Sequence, residues 1–406
     1  MQVARQALEG VKVADFSWII AGPLTAKFLG DLGAEVIHIE SYTNPDNLRS
    51  ISPMRDGVSG INRSATFARY NSSKYGLSLN LKHPKGLQIA RRIVAWADIA
   101  LENFTPGVME RLGLGYEDLK KVKPDIVMLS MPLLGHAGPL ATHPGLGVQL
   151  SDLIGFGNIT GWPDREPSTL PGAYTDFIGP YYALVALMAA LDYRSRTGKG
   201  QYIELAQFEA GLQFIAPLIM DWTANGREPI RRGNECDHAV PHGVYACQGE
   251  ERWCAIAVFS DEEWQALCRV IGDPALFDEP RFATLLGRKE NAREIDRLIE
   301  GWTANHTAEE VMAKLQEAGV PAGVVANGKD LFEDPQLETR GFYKELVHAE
   351  IGPHHYPSPP FKLSRTPGEP RMPSPCLGQH NEYVCKQILG MSDEEFVEML
   401  NEGVFE

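Results

Sequence analysis

The first half of the chain alternates short apolar runs with segments of helical spacing, and this alternation restricts its fold more than any other feature. The apolar runs have the length and composition of buried strands: VKVADFS (11–17), AEVIHIE (34–40), GLSLNLK (76–82), IALENF (99–104) and DIVMLSM (125–131). Helical patterns such as GPLTAKFLGDLG (22–33) and PKGLQIARRIVAWA (84–97) lie between them. This order predicts an α/β fold with a large Rossmann-like domain, in which helices cover both faces of a parallel sheet. Ligands of such sheets gather beyond the carboxyl ends of the strands.

The character of the chain changes near residue 225. The stretch NGREPIRRGNECDHAVPHGVY is rich in glycine, proline and charge, as in a linker or an active-site loop. A hairpin pattern, three helix patterns (261–271, 289–303 and 307–318) and the strand-like AGVVAN follow. We therefore predict a large domain over 1–225 and a smaller α/β domain over 226–330. Residues 331–406 are predicted to form a proline-rich return segment and C-terminal helices that join the large domain.

Composition excludes several classes of partner. The 406 residues carry a net charge of −15 without a lysine- or arginine-rich run, which argues against nucleic acid and anionic membranes. None of the six cysteines forms a C-x-x-C pair, so reduced thiols and a cytoplasmic location are expected. His238 and His242 have the spacing of helical metal ligands, but Pro241 and Gly243 interrupt that stretch, and no metal site is predicted.

A single carboxylate, Asp176, lies in the stretch LPGAYTDFIGP (170–180), directly before a long apolar helix pattern. Aspartate is a common helix N-cap, because its side chain accepts hydrogen bonds from free backbone N–H groups. Capping is therefore the simplest interpretation of Asp176. The alternative is a reactive carboxylate placed in an apolar setting. The dinucleotide motif G-x-G-x-x-G and the hydrolase motif G-x-S-x-G are both absent.

Several stretches together resemble the class III coenzyme A transferase family. They are LEGVKVADFSWIIAGPLTAKFLGDLGAEVIHIE, NSSKYGLSLNLKHPKG, ENFTPGVMERLGLGYEDLKKVKPDIVMLSM, RTGKGQYIELAQFEA and LGQHNEYV, spread from residue 8 to residue 384. In that family one aspartate, placed like Asp176 before a long helix, is the catalytic nucleophile. The resemblance implies transfer of CoA between two carboxylic acids through an aspartyl-CoA thioester, with CoA as a substrate and no permanently bound cofactor. It favours the nucleophile over the helix cap.

The resemblance also implies where CoA is held. Ala21 in the turn IIAGP is expected beside the pantetheine arm, and the strand end LNLK, with Leu79 and Lys82, is expected beside the nucleotide. The ENF motif is expected to place Asn103 and Phe104 at CoA, and Arg111 is expected to pair with a phosphate. For Lys82 and Arg111 the alternative is an ordinary solvated surface charge.

Three departures from the family pattern bear on the substrate. Ile20 replaces a polar glutamine, and Gly147 stands where several members have an acid or a tyrosine. Both changes predict an acyl pocket more apolar than in the formate and oxalate branch. Ser41 replaces a basic residue, so one phosphate contact of CoA is left open.

We expect one substrate to be a bulky, aromatic acid such as benzylsuccinate, which would place the chain in aromatic acid degradation. Trp162 is the first candidate ring contact, and anchoring its own loop is the alternative. Tyr174, Tyr181 and Tyr182 are further candidate ring contacts, and Phe177 is expected to add an apolar wall; core packing is the alternative for these four residues. Arg232 is the candidate cation for the carboxylate of a dicarboxylic co-substrate such as succinate.

Two other functions stay open at this point. An α-methylacyl-CoA racemase shares the fold, but Leu146 stands where such racemases carry a histidine. A non-catalytic subunit of a heteromeric transferase is the second alternative, and Asp176 argues against it. The resemblance also implies an interlocked dimer, formed either by two copies of this chain or with a related chain.

Overall fold

The apolar runs of the first half form a six-stranded sheet. A computed structural model describes residues 6–406. Its strands are β1 (Lys12–Asp15), β2 (Glu35–Glu40), β3 (Tyr75–Ser78), β4 (Ile99–Glu102), β5 (Val127–Ser130) and β6 (Tyr202–Glu204). All neighbouring strands are parallel and follow the order β3-β2-β1-β4-β5-β6. The predicted α/β class with a Rossmann-like parallel sheet is confirmed.

Helices cover both faces of this sheet, because successive strand residues point to opposite faces. On β1, Val13 belongs to one apolar core and Ala14 to the other. The helices up to residue 225 are α1 (Ala21–Asp31), α2 (Ala65–Tyr70), α3 (Pro84–Trp96), α4 (Val108–Arg111), α5 (Tyr116–Val122), α6 (Gly147–Ile154), α7 (Phe156–Ile159), α8 (Tyr174–Thr197), α9 (Gln207–Phe214) and α10 (Ala216–Asn225). Helices α1 and α8 share the core that contains Val13, whereas α3 and α5 share the core that contains Ala14.

Helix α8 begins six residues earlier than the pattern at 180–196 predicts, so Asp176 lies within its first turn. The sequence suggested a start after Pro180, since proline is most common at the beginning of a helix. Here Pro180 lies inside the helix. Proline has no N–H group, so it cannot donate the usual hydrogen bond to the carbonyl four residues earlier, which is that of Asp176.

Among the described helices, α8 is the one long and apolar enough to cross a membrane by length and composition. The core helix of a soluble protein passes the same test, and α8 packs against α1 and α9. This feature is therefore weak evidence for a membrane span, and the cytoplasmic location stays a prediction.

The C-terminal part of the chain covers the edge strand β3. The backbone N–H of Gly76 donates to His380 Nδ1 (3.0 Å), and the N–H of Ser78 donates to Asn381 Oδ1 (2.9 Å). These bonds satisfy donors that an edge strand otherwise exposes. The C-terminal part contains a π-helix (Tyr383–Ile388) and α18 (Asp393–Asn401). Two 3₁₀ helices, Asn47–Ser50 and Arg55–Gly57, lie between β2 and α2.

The smaller unit is a three-stranded antiparallel sheet with helices packed on it. Its strands β7 (His242–Ala246), β8 (Trp253–Ala257) and β9 (Ala322–Val324) are adjacent in that order. Its core joins Ile256 and Cys254 of β8 to Leu267, Ile299 and Val311 of the helices. The helices are α11 (Asp261–Val270), α12 (Ala275–Asp278), α13 (Leu285–Glu290), α14 (Ala292–Thr303), α15 (Ala308–Glu317) and α16 (Gly328–Phe332).

The segment after residue 331 contains structure that the sequence interpretation missed. Helix α17 (Pro335–Thr339) precedes an antiparallel hairpin of β10 (Tyr343–His348) and β11 (Gly352–Pro357). Prolines at both ends of β11 suggested an irregular traverse. Proline is compatible with a strand at an end or an edge, and this sheet has two strands only.

The chain divides into two units. The larger comprises the described residues up to Phe156, Thr169–Glu228 and Gln336–Glu406, and the smaller comprises Gly157–Ser168 and Pro229–Pro335. The boundaries predicted from composition were 226–330 for the smaller domain. The short segment Gly157–Ser168, which contains Trp162, lies within the large domain by these predicted boundaries but groups with the smaller unit.

Candidate active site

Asp176 does not cap its helix. The N-cap of α8 is Ala173, which offers no side-chain acceptor, and Asp176 lies three residues further on. Its side chain is 7% exposed, and within residues 6–406 its carboxylate has no hydrogen-bond or ion-pair partner. Burial alone raises the pKa of this carboxyl from 3.8 to about 7. The interpretation of Asp176 as a helix cap is therefore wrong.

Gly147 leaves the space that the Asp176 carboxyl occupies. A Cβ atom at residue 147 would lie 2.6 Å from Asp176 Oδ1 and 2.7 Å from the Cβ of Ala173. Any larger residue therefore has to displace the carboxyl or the backbone of α8. Gly147 is also the first residue of α6, so the carboxyl lies beside the positive end of that helix. This position favours the ionised form and opposes the effect of burial.

A cavity opens around Asp176 at the carboxyl ends of the central strands. The loops after β1, β4 and β5 contribute to its wall, at the point where the strand order reverses between β1 and β4. Crevices at such a reversal are the usual ligand sites of open α/β sheets. The lining residues are Ile19, Ile20, Ala21, Asn103, Phe104, Thr105, Pro106, Leu133, Leu134, Ala141, His143, Gly145, Leu146, Gly147, Asp176 and Gln207.

Six of the candidate site residues line this one cavity: Ile20, Ala21, Asn103, Phe104, Gly147 and Asp176. Leu146, which stands where racemases carry a histidine, lines it too. Asn103 holds the neighbouring loop in place. Its Oδ1 accepts a hydrogen bond from the N–H of Trp18, and its Nδ2 donates to the carbonyl of Trp18, both at 2.8 Å. The ring of Phe104 meets the ring of Trp18 edge-on at 5.7 Å. These contacts join the loop after β1 to the loop after β4.

The remaining residues predicted to bind CoA lie outside this cavity. Leu79 is fully buried in the core. Lys82 and Arg111 are exposed, and neither forms an ion pair with another described residue. The hydroxyl of Ser41 donates to the carbonyl of Glu406 (3.0 Å), so the position expected to carry a basic residue contacts the C-terminal segment instead.

The aromatic residues predicted to line the acyl pocket do not line this cavity. Tyr174 is exposed, and its ring contacts Phe156. Tyr181 contacts Phe28, and Phe177 contacts Tyr70.

Trp162 and Arg232 line a different cavity, which lies within the smaller unit and has a volume of about 560 Å³. Trp162 packs against Gly233, where a Cβ atom would meet the indole ring at 2.4 Å. Arg232 is paired with Asp237 at the same cavity, so its charge is already matched.

Several cavity residues were not predicted from the sequence, among them Leu133, Leu134 and Gln207. Leu133 and Leu134 lie in the loop after β5, and the rule that ligands bind beyond strand ends predicts such residues. Gln207 opens α9 and is buried; its Nε2 donates to the carbonyl of Met131 (3.1 Å), while its Oε1 has no partner among the described residues. No local pattern in the sequence marks Gln207 as part of the site. Among the described residues, no group of three or more His, Cys, Asp or Glu is arranged to hold a metal ion.

Comparisons with known proteins identify the family of this chain. The model of CoA-transferase family III matches residues 8–381. The succinyl-CoA–D-citramalate CoA-transferase of Chloroflexus aurantiacus is 30% identical over 96% of this chain and 95% of its own length. The probable CoA-transferase Rv1866 of Mycobacterium tuberculosis is 32% identical over 99% of this chain, which spans about half (51%) of that protein. The crystal structure of a CAIB/BAIF family protein from Brucella suis superposes with a TM-score of 0.87 at 30% identity, covering 95% of this chain and all (100%) of that one.

Proposed function

This chain belongs to CoA-transferase family III, and from that premise we propose that Asp176 is the nucleophile that carries CoA from an acyl-CoA to a carboxylic acid. The chain is an enzyme of the acyl-CoA:carboxylate transferase class. The observation that carries the assignment of Asp176 is its environment. Its carboxyl is buried in a cavity at the carboxyl ends of the central strands, and it has no hydrogen-bond or ion-pair partner among residues 6–406.

The reaction needs only the carboxylate and the two substrates. A carboxylate oxygen of Asp176 attacks the thioester carbon, the C–S bond breaks, and a mixed anhydride and CoA thiolate result. The thiolate then attacks the aspartyl carbon of the anhydride, which releases the donor acid and leaves an aspartyl-CoA thioester. The acceptor carboxylate attacks this thioester to form a second anhydride and thiolate. Attack of the thiolate on the acceptor's acyl carbon gives the new acyl-CoA and restores Asp176.

The environment of Asp176 suits these intermediates. Water hydrolyses both an anhydride and a thioester, so the site has to exclude it. Aliphatic side chains around the carboxyl, among them Ile20, Leu133 and Leu146, provide such an environment. The same burial raises the pKa of Asp176 to about 7. Because the buried carboxylate is weakly solvated, it is a reactive nucleophile once it ionises.

CoA itself is proposed to lie across the larger unit. Lys82 and Arg111, which form no ion pair with another described residue, supply positive charge for its phosphates. Guanidinium groups match phosphate geometry well. Ala21 and Phe104 border the pantetheine arm near Asp176. Leu79 is proposed to support the CoA-binding surface by packing beneath it, because its side chain is buried in the core.

For the acids, we propose succinyl-CoA as a donor and an apolar acceptor, with aromatic acids such as benzylsuccinate as the leading candidates. Succinyl-CoA as the donor is supported by the relative from C. aurantiacus, whose name includes succinyl-CoA. Ile20 and Gly147 support an apolar acceptor, and the described residues that line the cavity around Asp176 include no lysine or arginine. The rings of Trp162 and Tyr174 add no support, since neither residue is among those that line this cavity.

A CoA-exchange assay on the purified chain tests this function. Succinyl-CoA is mixed with benzylsuccinate, phenylpropionate, butyrate or oxalate, and new acyl-CoA is quantified. We expect transfer to an aromatic acid by the unmodified chain, none by Asp176→Asn, and normal transfer by Asp192→Asn, an exposed acid on the same helix. Preference for oxalate or butyrate contradicts the aromatic acceptor but not the transfer of CoA. Exchange of the α-hydrogen without transfer indicates the racemase, and no activity without a second chain indicates a subunit of a heteromer.

We also propose that the enzyme is a dimer. Apolar side chains stand exposed on α8, α9 and α10, including Val185, Phe214, Met220 and Trp222, and α10 has no buried residue. Exposed apolar surface of this kind marks an interaction site. Native mass measurement at micromolar concentration is expected to give twice the chain mass. A stable monomer with full activity contradicts the dimer.

A further inference from the structure

We propose that Asp46 is a positioning residue, which holds Ile19 in a left-handed conformation and so shapes the wall of the cavity around Asp176. The inference rests on the transfer reaction proposed above. Neither Asp46 nor Ile19 is among the residues that the sequence interpretation singled out.

Ile19 adopts an unfavourable backbone conformation. Its φ is +66°, and among the four described non-glycine residues with positive φ it is the β-branched one. The left-handed region is disfavoured for L-residues, and most strongly for β-branched ones. Such a conformation persists only where the surroundings impose it, and these cases concentrate at functional sites. Ile19 lines the cavity together with Asp176.

The conformation of Ile19 decides where the next residues point. The chain leaves β1 at Asp15 and enters α1 at Ala21, so the loop reverses its direction within five residues. Ile20 is the N-cap of α1 and has no side-chain acceptor, and both Ile20 and Ala21 line the cavity. A change at Ile19 therefore moves three consecutive residues of the cavity wall.

Asp46 supplies the contact that imposes this conformation. Its Oδ2 accepts a hydrogen bond from the N–H of Ile19 (2.9 Å), and its Oδ1 accepts one from the N–H of Leu48 (2.8 Å). The Asp46 side chain is 1% exposed. Its own N–H donates to Glu40 (3.3 Å), which is paired in turn with Arg49 (2.6 Å). Asp46 is thus fixed on one side by a buried ion pair and holds Ile19 on the other.

The adjacent residue is held from the opposite direction. Both backbone groups of Trp18 are bonded to the side chain of Asn103, which follows β4. Asp46 follows β2, and β2 and β4 lie on the two sides of β1. The loop after β1 is therefore clamped between its two neighbours at consecutive residues. A simple capping role for Asp46 on the 3₁₀ helix explains its bond to Leu48 but not its bond to Ile19.

The test compares the effect of losing the Asp46 carboxylate in three backgrounds. Asp46→Asn removes one of two acceptors, and Asp46→Ser keeps a short capping oxygen for Leu48 that does not reach Ile19. Each is combined with the unmodified residue 19, with Ile19→Gly, or with Ile19→Ala. Glycine adopts the left-handed conformation without strain, whereas alanine does not. Melting profiles identify the variants that fold, and kcat and KM are measured for CoA transfer.

We expect both Asp46 variants to lower kcat about tenfold in the unmodified and Ile19→Ala backgrounds, with little change in the KM for acyl-CoA. In the Ile19→Gly background the same change is expected to lower kcat less than about threefold. An equal loss in all three backgrounds, or normal kcat in Asp46→Ser, overturns the inference and indicates a capping role. If Asp46→Asn does not fold, Asp46→Ser carries the same comparison. Absence of transfer by the unmodified chain contradicts the proposed function instead.

Discussion

Replacing Asp176 with asparagine is expected to abolish transfer and to make the fold more stable at high pH. The pKa of this carboxyl in the folded chain is about 7, against an ordinary value of 3.8. Between these values the folded chain keeps a proton that the unfolded chain has lost, so stability falls as pH rises through this window. Each pKa unit corresponds to about 1.4 kcal/mol, which gives a total loss of about 4 kcal/mol above pH 7. Asparagine carries no charge at any pH and avoids this loss.

The magnitude can be measured within a practical range. About 2.5 kcal/mol of the loss falls between pH 5 and pH 8, since the unfolded carboxyl is already ionised at pH 5. Urea unfolding of the unmodified chain and of Asp176→Asn at both pH values gives two differences in the free energy of unfolding. Relative to the unmodified chain, the free energy of unfolding of Asp176→Asn is expected to rise by about 2.5 kcal/mol between pH 5 and pH 8.

Asp192→Asn is the matched control for this measurement, because Asp192 is an exposed acid on the same helix. Its effect on the free energy of unfolding is expected to stay within about 0.5 kcal/mol at both pH values. The reasoning is refuted if Asp176→Asn shows the same difference from the unmodified chain at pH 5 and at pH 8. That result would mean that burial does not disfavour the ionised carboxylate.

Further predictions concern the pH dependence, the cavity and the CoA contacts. The value of kcat/KM is expected to rise with pH up to about 7 and then to level off, because only the ionised nucleophile attacks; a flat profile from pH 5 to 8 contradicts this. Gly147→Ala is expected to lower kcat at least about tenfold, since its Cβ clashes with the nucleophile, whereas Gly301→Ala, a helical site with open space, should leave activity unchanged. Lys82→Gln and Arg111→Gln are each expected to raise the KM for acyl-CoA about tenfold at low salt and less at high salt, whereas Lys199→Gln should not. Unchanged KM values in both variants would mean that Lys82 and Arg111 are ordinary solvated surface charges that do not contact CoA.

Much of the fold was predictable because its signals are local. Each strand of the larger sheet is a short apolar run bounded by glycine, proline or polar residues, and its residues alternate between the two apolar cores because successive strand residues point to opposite faces. The early start of α8 was not predictable, since Pro180 normally marks a helix beginning. The hairpin of β10 and β11 was missed because its prolines resemble those of an irregular segment.

The site was predictable where one residue carries the chemistry, and less so where distant segments meet. Asp176 stands out through its glycine-flanked, apolar surroundings and through the family resemblance. The contact of Gly147 with that carboxyl depends on how α6 meets α8, and no periodicity reports it. The bond between Asp46 and Ile19 joins residues 27 positions apart and requires the strand order of the sheet.

The central claim, that Asp176 becomes covalently loaded with CoA, is tested most directly by mass spectrometry of its peptide. The chain is incubated with succinyl-CoA or an aromatic acyl-CoA, quenched in acid and digested. We expect a CoA adduct on the peptide that contains Asp176, its disappearance on addition of an acceptor acid, and no adduct in Asp176→Asn. An actively transferring chain that carries its adduct on another residue, or forms none under single-turnover conditions, contradicts the account.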